Sequence, residues 1–263
     1  MDTVTSADGT VIAYDRLGEG EPVIVAGGAT CSRAVTRGIA EELAKHVPVL
    51  NYDRRGRGDS GDTRPYAVER EIEDLAALID ASGGAASLYG HSSGAALALR
   101  AAAHGLPLTR LVLHEAPYGP DSADHRHAAR EYGENLRALL ANDRRGDAIA
   151  LFCSLTGMPD ALLDQLRRSP AWPAMAALAP SLAYDSEVMG DLTTGGVLPA
   201  ELAAKVAVPT LVISGGASPD WMIATGQHLA DTIPDARHEV IPGHAHVVPE
   251  DVLAPILATF ITT

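Results

Sequence analysis

Residues 88–95 read LYGHSSGA, an apolar run that leads into the pattern G-x-S-x-G. An Ala- and Leu-rich segment follows at 95–103 and is typical of a closely packed helix. A sharp turn from strand to helix holds a serine hydroxyl clear of the backbone, and the two glycines let the strand and the helix pass close together. We therefore predict a nucleophile elbow in which Ser92 is the attacking residue.

The composition of the 263-residue chain limits the classes of protein and partner. This length suits one α/β domain with an inserted subdomain and a sizeable core. The formal net charge of -14 argues against nucleic acid or an anionic membrane as a partner, because phosphate contacts need clusters of Lys and Arg. We see neither a signal peptide nor an apolar stretch of membrane-spanning length, and Cys31 and Cys153 are typical of free thiols. We therefore expect a cytoplasmic protein.

Apolar runs alternate with segments of helical period along most of the chain. This alternation predicts an α/β protein with a mostly parallel, eight-stranded sheet flanked by helices on both faces. The predicted strands lie at 4–5, 11–15, 22–26, 48–52, 86–89, 109–113, 209–214 and 238–241. Helices are predicted at 34–45, 66–82 and 92–104.

Residues 118–204 interrupt the alternation. The segment contains helix-like pieces at 130–140, 148–155 and 161–168 but no convincing strand. Five prolines punctuate it: Pro159, Pro170, Pro173, Pro180 and Pro199. We interpret it as a helical cap inserted after the sixth strand, over a core formed by 1–117 and 205–263.

Two further motifs complete a resemblance to the α/β-hydrolase family. AGGA at 26–29 stands where that family carries a His-Gly turn after its third strand, and YDRRGRGDS at 52–60 matches its D-x-R-G-x-G-x-S turn. The resemblance covers roughly 10–117 and 205–261, leaves the cap out, and implies the α/β-hydrolase fold. We interpret the arginines of the second turn, Arg54, Arg55 and Arg57, as a local structural device.

The histidine of the family follows the last strand. Here the sequence PGHAH at 242–246 offers two candidates, His244 and His246. We favour His246 because it lies closer to the terminal helix, which begins near Pro249. The two histidines could instead bind a metal, but no third ligand stands at a useful spacing, so we predict no metal and no other cofactor.

The acid is where this sequence departs from the family it resembles. Most members place Asp three residues after the glycine that ends the seventh strand, and here that residue is Ser218. Asp220 is near, but its surroundings predict a helix start with Ser218 as N-cap and Pro219 at the first helical position. We favour Glu115, at the tip of the sixth strand, which can reach a histidine from the far loop. Zearalenone-type lactonases are similar, with S-S-G-A at the elbow and a His-Glu-x-Pro segment after the next strand.

The resemblance implies hydrolysis of a carboxylic ester or lactone by an acyl-enzyme route. The predicted triad consists of Ser92, His246 and Glu115. Backbone N–H groups would hold the oxyanion, one from Ser93 and a second from the Gly28-Ala29 turn. The same triad could instead serve C–C bond hydrolysis, or acyl transfer or cyclisation, and a third alternative is a binding protein that kept the fold but not the catalysis.

Substrate choice is predicted from large or soft apolar side chains near the expected cleft or in the cap. The candidates are Cys31, Tyr118, Phe152, Trp172, Tyr184, Met189 and Trp221. They favour a small hydrophobic ester or lactone as the partner molecule. A monomer and a homodimer are both compatible with the sequence.

Overall fold

The computed structural model describes all 263 residues, and an eight-stranded sheet forms its centre. The strands are β1 Asp2–Thr5, β2 Val11–Leu17, β3 Val23–Ala26, β4 Val49–Tyr52, β5 Ala86–His91, β6 Leu108–His114, β7 Thr210–Gly215 and β8 Ala236–Ile241. Their order is β1-β2-β4-β3-β5-β6-β7-β8. The β1–β2 and β2–β4 pairs are antiparallel, and all others are parallel. The predicted mostly parallel α/β sheet is confirmed.

Helices cover both faces of the sheet and fill the segment between β6 and β7. They are α1 Arg37–Leu43, α2 Val68–Ala81, α3 Ser93–Ala103, α4 Ala123–Ala141, α5 Arg145–Leu155, α6 Asp160–Arg167, α7 Trp172–Leu178, α8 Leu182–Met189, α9 Ala200–Ala203, α10 Asp220–Thr232 and α11 Glu250–Thr262. α1 and α11 bury one face of the sheet, whereas α2, α3 and α10 bury the other. No helix has both the length and the apolar character that a membrane crossing requires.

The central strands are buried on both faces because their side chains alternate between two apolar clusters. In β3, Ile24 and Ala26 join the cluster under α2 and α3, whereas Val23 and Val25 join the one under α1 and α11. Burying each Val or Ile contributes about 1.5–3 kcal/mol. This double burial explains why the strands are continuous apolar runs in the sequence.

Six helices, α4 to α9, lie between β6 and β7, and apolar side chains from α4 to the start of α8 form a separate cluster around Leu136 and Ile149. α4 begins earlier than the predicted piece because the Ser122 hydroxyl accepts a hydrogen bond from the His125 N–H and caps the helix. The predicted pieces missed α7, α8 and the short α9. Prolines in the first turns of α7 and of the 3-10 turn Ala179–Ser181 start helices there, since proline is tolerated where no intrahelical N–H bond is needed.

Candidate active site

The turn between β5 and α3 presents Ser92 in a backbone conformation that non-glycine residues rarely adopt, with φ 57° and ψ -126°. Its N–H donates to the His114 carbonyl oxygen at 2.9 Å. A Cβ on Gly90 would overlap the backbone of Gly94, and a Cβ on Gly94 would overlap the Ala26 carbonyl. Both glycines are therefore required for the strand and the helix to meet in this turn.

Gly28 lies directly against Ser92. A Cβ at Gly28 would stand 2.9 Å from Ser92 Cβ and 3.4 Å from its Oγ. The backbone N–H groups of Gly28 and Ala29 donate no hydrogen bond within the protein. The Ser93 N–H belongs to the first turn of α3, where helical N–H groups have no intrahelical acceptor. Gly28 and Ser93 thus lie next to Ser92, and the N–H groups of Gly28 and Ala29 remain without an acceptor in the protein.

Glu115 follows β6 and is only 2% exposed, with a positive φ of 53°. Its Oε1 accepts the Gly215 N–H at 2.7 Å, and its Oε2 accepts the Ser218 hydroxyl at 3.0 Å and His246 Nδ1 at 3.0 Å. Burial opposes ionisation, but the hydrogen bonds from His246, Gly215 and Ser218 outweigh it and hold the pKa of Glu115 below its usual value. Glu115 is therefore an ionised acceptor at neutral pH.

His246 has the tautomer that a general base needs. Because an ionised carboxylate only accepts, Nδ1 carries the proton toward Glu115, and Nε2 is the ring nitrogen that can accept a proton. The side chain of His246 is 39% exposed and therefore reaches solvent. No hydrogen bond joins Nε2 to Ser92 Oγ in the structure; in enzymes generally, the hydrogen bond between nucleophile and base often tightens only when substrate binds.

His91, the residue before Ser92, was not identified from the sequence. Its Nε2 donates to the His246 carbonyl oxygen at 2.9 Å, and the two rings lie 4.7 Å apart. Burial and the neighbouring His246 lower the pKa of His91 to about 4. His91 is thus neutral at pH 7 and fixes the backbone of His246. Its place as the first x of G-x-S-x-G, next to the serine, was the available signal.

The alternative base and acid lie outside this arrangement. The His244 side chain makes no hydrogen bond, whereas its carbonyl oxygen accepts the Ala217 N–H at 2.7 Å. Asp220 is exposed at the start of α10 and pairs with no histidine. The predicted helix start is wrong by one residue: Pro219 is the N-cap, and the Ser218 hydroxyl instead donates to the ionised Glu115 carboxylate, a charge-assisted hydrogen bond.

Three of the predicted pocket residues lie in packed interfaces instead of an open cleft. Tyr118 and Met189 belong to the apolar cluster between the sheet and its helices, and both are buried. The buried Tyr184 stacks on Tyr66 with ring centroids 3.8 Å apart, and its hydroxyl donates to Asp62 at 2.8 Å. These three side chains pack the segment between β6 and β7 against the rest of the protein, and this packing explains why they are large and mostly apolar.

The other four predicted pocket residues are more accessible. Cys31 is half-buried just after the Gly28 turn, and its N–H donates to the Gly28 carbonyl oxygen at 3.2 Å. Phe152 and Trp172 pack against the apolar cluster of the helical segment, as does Ala29. Trp221 is exposed in the first turn of α10. Of the seven, Cys31 lies closest along the chain to the Gly28 turn, which contacts Ser92.

The described side chains contain no group of three His, Cys, Asp or Glu residues arranged to hold a metal ion. What the site does bring together is a strained serine, a histidine with a free Nε2 and an ionised carboxylate behind it. In such an arrangement the carboxylate can stabilise the imidazolium that forms when the histidine removes a proton from a hydroxyl.

The chain is similar to several proteins of known structure. An alpha/beta hydrolase from Sphaerobacter thermophilus is 50% identical, with 98% of this chain and 99% of that one covered at a TM-score of 0.86. An enol-lactonase from Burkholderia xenovorans shares the fold at 20% identity, with both chains covered completely and a TM-score of 0.70.

A curated relative, N-formylmaleamate deformylase from Pseudomonas putida, is 36% identical over 156 residues. The match covers 57% of this chain and 58% of the deformylase, so it spans little more than half of that relative's length. The model of the alpha/beta hydrolase family matches residues 23–256, from β3 to the last helix. This range includes the elbow, Glu115 and the His246 loop, and the chain therefore belongs to the alpha/beta hydrolase family.

Proposed function

We propose that the protein is a serine hydrolase that cleaves a carboxylic ester or lactone through an acyl-enzyme on Ser92. His246 is the general base, and Glu115 orients it. The observation that carries the proposal is the buried Glu115 carboxylate, which accepts His246 Nδ1 at 3.0 Å and so leaves Nε2 as the ring nitrogen that can take a proton.

Acylation begins when His246 Nε2 takes the Ser92 proton as Oγ forms a bond to the substrate's carbonyl carbon. The carbonyl electrons move to oxygen, where the N–H groups of Ser93 and of the Gly28-Ala29 turn stabilise the negative charge. The carbon–oxygen bond to the alkoxide then breaks, and His246 returns the proton to that alkoxide. We expect the Ser92–His246 hydrogen bond to form as substrate binds.

Deacylation repeats these steps with water. His246 takes a proton from the water molecule, whose oxygen attacks the acyl carbon. The bond to Ser92 Oγ breaks, and Ser92 recovers a proton from His246. An ester yields an acid and an alcohol, whereas a lactone yields a single hydroxy acid.

A small hydrophobic substrate fits the surroundings of the oxyanion turn. Ala29 packs against the apolar cluster of the helical segment, which also holds Phe152 and Trp172. The net charge of -14 disfavours polyanionic substrates. The likeness of the elbow and of the His114-Glu115 segment to zearalenone-type lactonases keeps a lactone beside an open-chain ester in the proposed substrate class.

A second candidate is hydrolysis of an N-formyl amide. It is favoured by the 36% identity to N-formylmaleamate deformylase over 156 residues. The same three residues would act, but the bond that breaks is the formyl C–N bond, and His246 would protonate the amide nitrogen as it leaves.

The test is active-site labelling with a fluorophosphonate probe, read by intact mass. We expect the wild type to gain one adduct, Ser92→Ala to gain none, and Ser154→Ala, which changes an exposed serine on α5, to label like the wild type. A folded wild type that does not label would refute the serine hydrolase. Turnover of lactones, esters and N-formyl amides by the unlabelled wild type, with Ser92→Ala as the control, then separates the two candidates.

A further inference from the structure

Four charged side chains lie buried beneath the Gly27-Gly28 turn, outside the triad. They are Arg54, Arg57, Glu71 and Asp185, with exposures of 1%, 2%, 1% and 5%. Two guanidinium groups face two carboxylates, so the charges balance within the cluster. The two arginines and Glu71 belong to the sheet domain, whereas Asp185 lies on α8, in the segment between β6 and β7.

The two arginines hold the carbonyl oxygens of the oxyanion turn. Arg57 Nη1 donates to the Gly28 carbonyl oxygen at 2.5 Å, and Arg54 Nη1 donates to that of Gly27 at 3.3 Å. In a trans peptide the C=O and the next N–H point in opposite directions. Holding these two carbonyls on the arginine side therefore turns the N–H groups of Gly28 and Ala29 to the opposite side.

A single oxygen of Asp185 gathers the groups that border this turn. Its Oδ1 accepts Arg57 Nη2 at 2.7 Å, Arg54 Nη1 at 2.8 Å and the Ser93 hydroxyl at 2.7 Å. Ser93 also provides the other predicted oxyanion donor, through its backbone. Both halves of the oxyanion hole are thus connected to one carboxylate. Arg57 and Arg54 hold the pKa of Asp185 below its usual value against the effect of burial, so it is ionised.

We propose that Asp185 is a positioning residue for the oxyanion hole, acting through Arg57 and Ser93, so that the docked helix α8 sets the aim of the hole's N–H donors. The inference rests on the proposed function, because it assigns a role within the same reaction. Asp185 itself makes no hydrogen bond to the Ser92 hydroxyl; its partners are Arg54, Arg57 and the Ser93 hydroxyl.

The test compares Arg57→Lys and Asp185→Asn with a matched control, Arg55→Lys. Arg55 is a completely buried arginine of the same turn, but it pairs with Asp74 and Asp8 and contacts neither the glycine turn nor Asp185. The substrates are p-nitrophenyl acetate and its thiono analogue, in which sulfur replaces the carbonyl oxygen. N–H donors stabilise an oxyanion better than the larger, more diffuse thiolate, so the ratio of kcat/KM for the two substrates reports on the hole.

We expect Arg57→Lys and Asp185→Asn to lower kcat for the oxygen ester by about 10- to 100-fold with little change in KM, since removing one donor outright costs about 10²–10³. The oxygen-to-sulfur ratio should fall by about tenfold. Arg55→Lys should keep that ratio, even if its thermal unfolding temperature drops.

Two results would overturn the proposal: a wild-type ratio in folded Arg57→Lys and Asp185→Asn, or an equal fall of the ratio in Arg55→Lys. If Asp185→Asn does not fold, Ser93→Ala removes one hydroxyl donor to Asp185 and should still lower the ratio severalfold. Failure of the wild type to label with a fluorophosphonate would instead refute the serine hydrolase itself, so the two failures are distinguishable.

Discussion

The ends of β6 and β7 lie side by side at the same edge of the sheet, and each is followed by an acidic residue. Glu115 comes directly after β6, is almost completely buried and accepts three hydrogen bonds. Asp220 comes five residues after Gly215, is exposed, and starts α10. The comparison shows that position after a strand is not enough. A carboxylate that is to hold a histidine also needs hydrogen-bond donors around it that keep it charged when buried.

The loop after β7 still contributes to the site, but with donors instead of an acid. The Gly215 N–H and the Ser218 hydroxyl both donate to the Glu115 carboxylate. One strand end therefore supplies the charge, and its neighbour supplies the hydrogen bonds that keep the charge stable when buried. The following predictions test this division.

The largest expected effect is that of Glu115→Gln. The amide cannot stabilise the imidazolium, and its NH₂ group competes with His246 Nδ1 as a donor. We expect kcat/KM to fall about 10³–10⁴-fold, as when a triad acid is replaced by its amide. Steady-state rates on an activated ester at pH 7–8 measure it. A loss below tenfold would mean that the acid lies elsewhere.

The next largest expected effect comes from moving the carboxylate from the end of β6 to the loop after β7. Ser218 Oγ lies 3.0 Å from the Glu115 oxygen that accepts His246 Nδ1. In a Glu115→Ala background, Ser218→Asp would place a carboxylate near that oxygen's position. We expect kcat/KM to recover about 10- to 100-fold over Glu115→Ala, a fraction of what a triad acid contributes.

Ser218→Asn in the same background is the matched control for that exchange, since it has the same shape without the charge. If Asp and Asn at position 218 give equal rates, the new carboxylate does not replace that of Glu115.

Ser218→Ala should change stability in a pH-dependent way. The folded state lowers the pKa of Glu115, so its stabilisation is complete above the unfolded value of about 4.3 and is lost as pH falls through the folded value. Removing the Ser218 hydroxyl brings the folded pKa closer to the unfolded one. Because hydrogen bonds to charged groups contribute about 1.5–3 kcal/mol, we expect the variant to be less stable by about that amount at pH 7.

The measurement for Ser218→Ala is urea unfolding from pH 7 down to pH 3. The difference in unfolding free energy between the wild type and the variant should shrink steadily below pH 4. A difference that stays constant over this range would show that the hydroxyl does not act through the charge of Glu115.

Much of the fold could be predicted because its signals are local. Each central strand is an apolar run, and the turn at Ser92 needs glycines at fixed positions. The closeness of Glu115 and His246 also follows from sequence, once the order of the strands is inferred from a family resemblance. The assignment of catalytic roles to these residues stays a prediction.

The rest depends on contacts between distant parts of the chain. Arg57 and Asp185 are 128 positions apart, and neither residue's local sequence indicates the other. Tyr184 reads as a pocket residue until Tyr66 and Asp62 are seen to enclose it. Burial depends on which element covers a side chain, and for the helices between β6 and β7 no sequence pattern specifies that.

The smallest expected effect is that of Asp220→Asn, which completes the comparison of the two strand ends. As a carboxylate in the first turn of α10, Asp220 interacts favourably with the helix dipole, so its loss should cost about 0.3–1 kcal/mol in unfolding free energy. kcat/KM should stay within about twofold, because a surface substitution away from the site changes little. Paired rate and urea measurements at pH 7 check both values. Should activity fall tenfold with stability unchanged, the exposed acid after β7 would be serving the histidine, and the buried Glu115 would be holding the loops together instead.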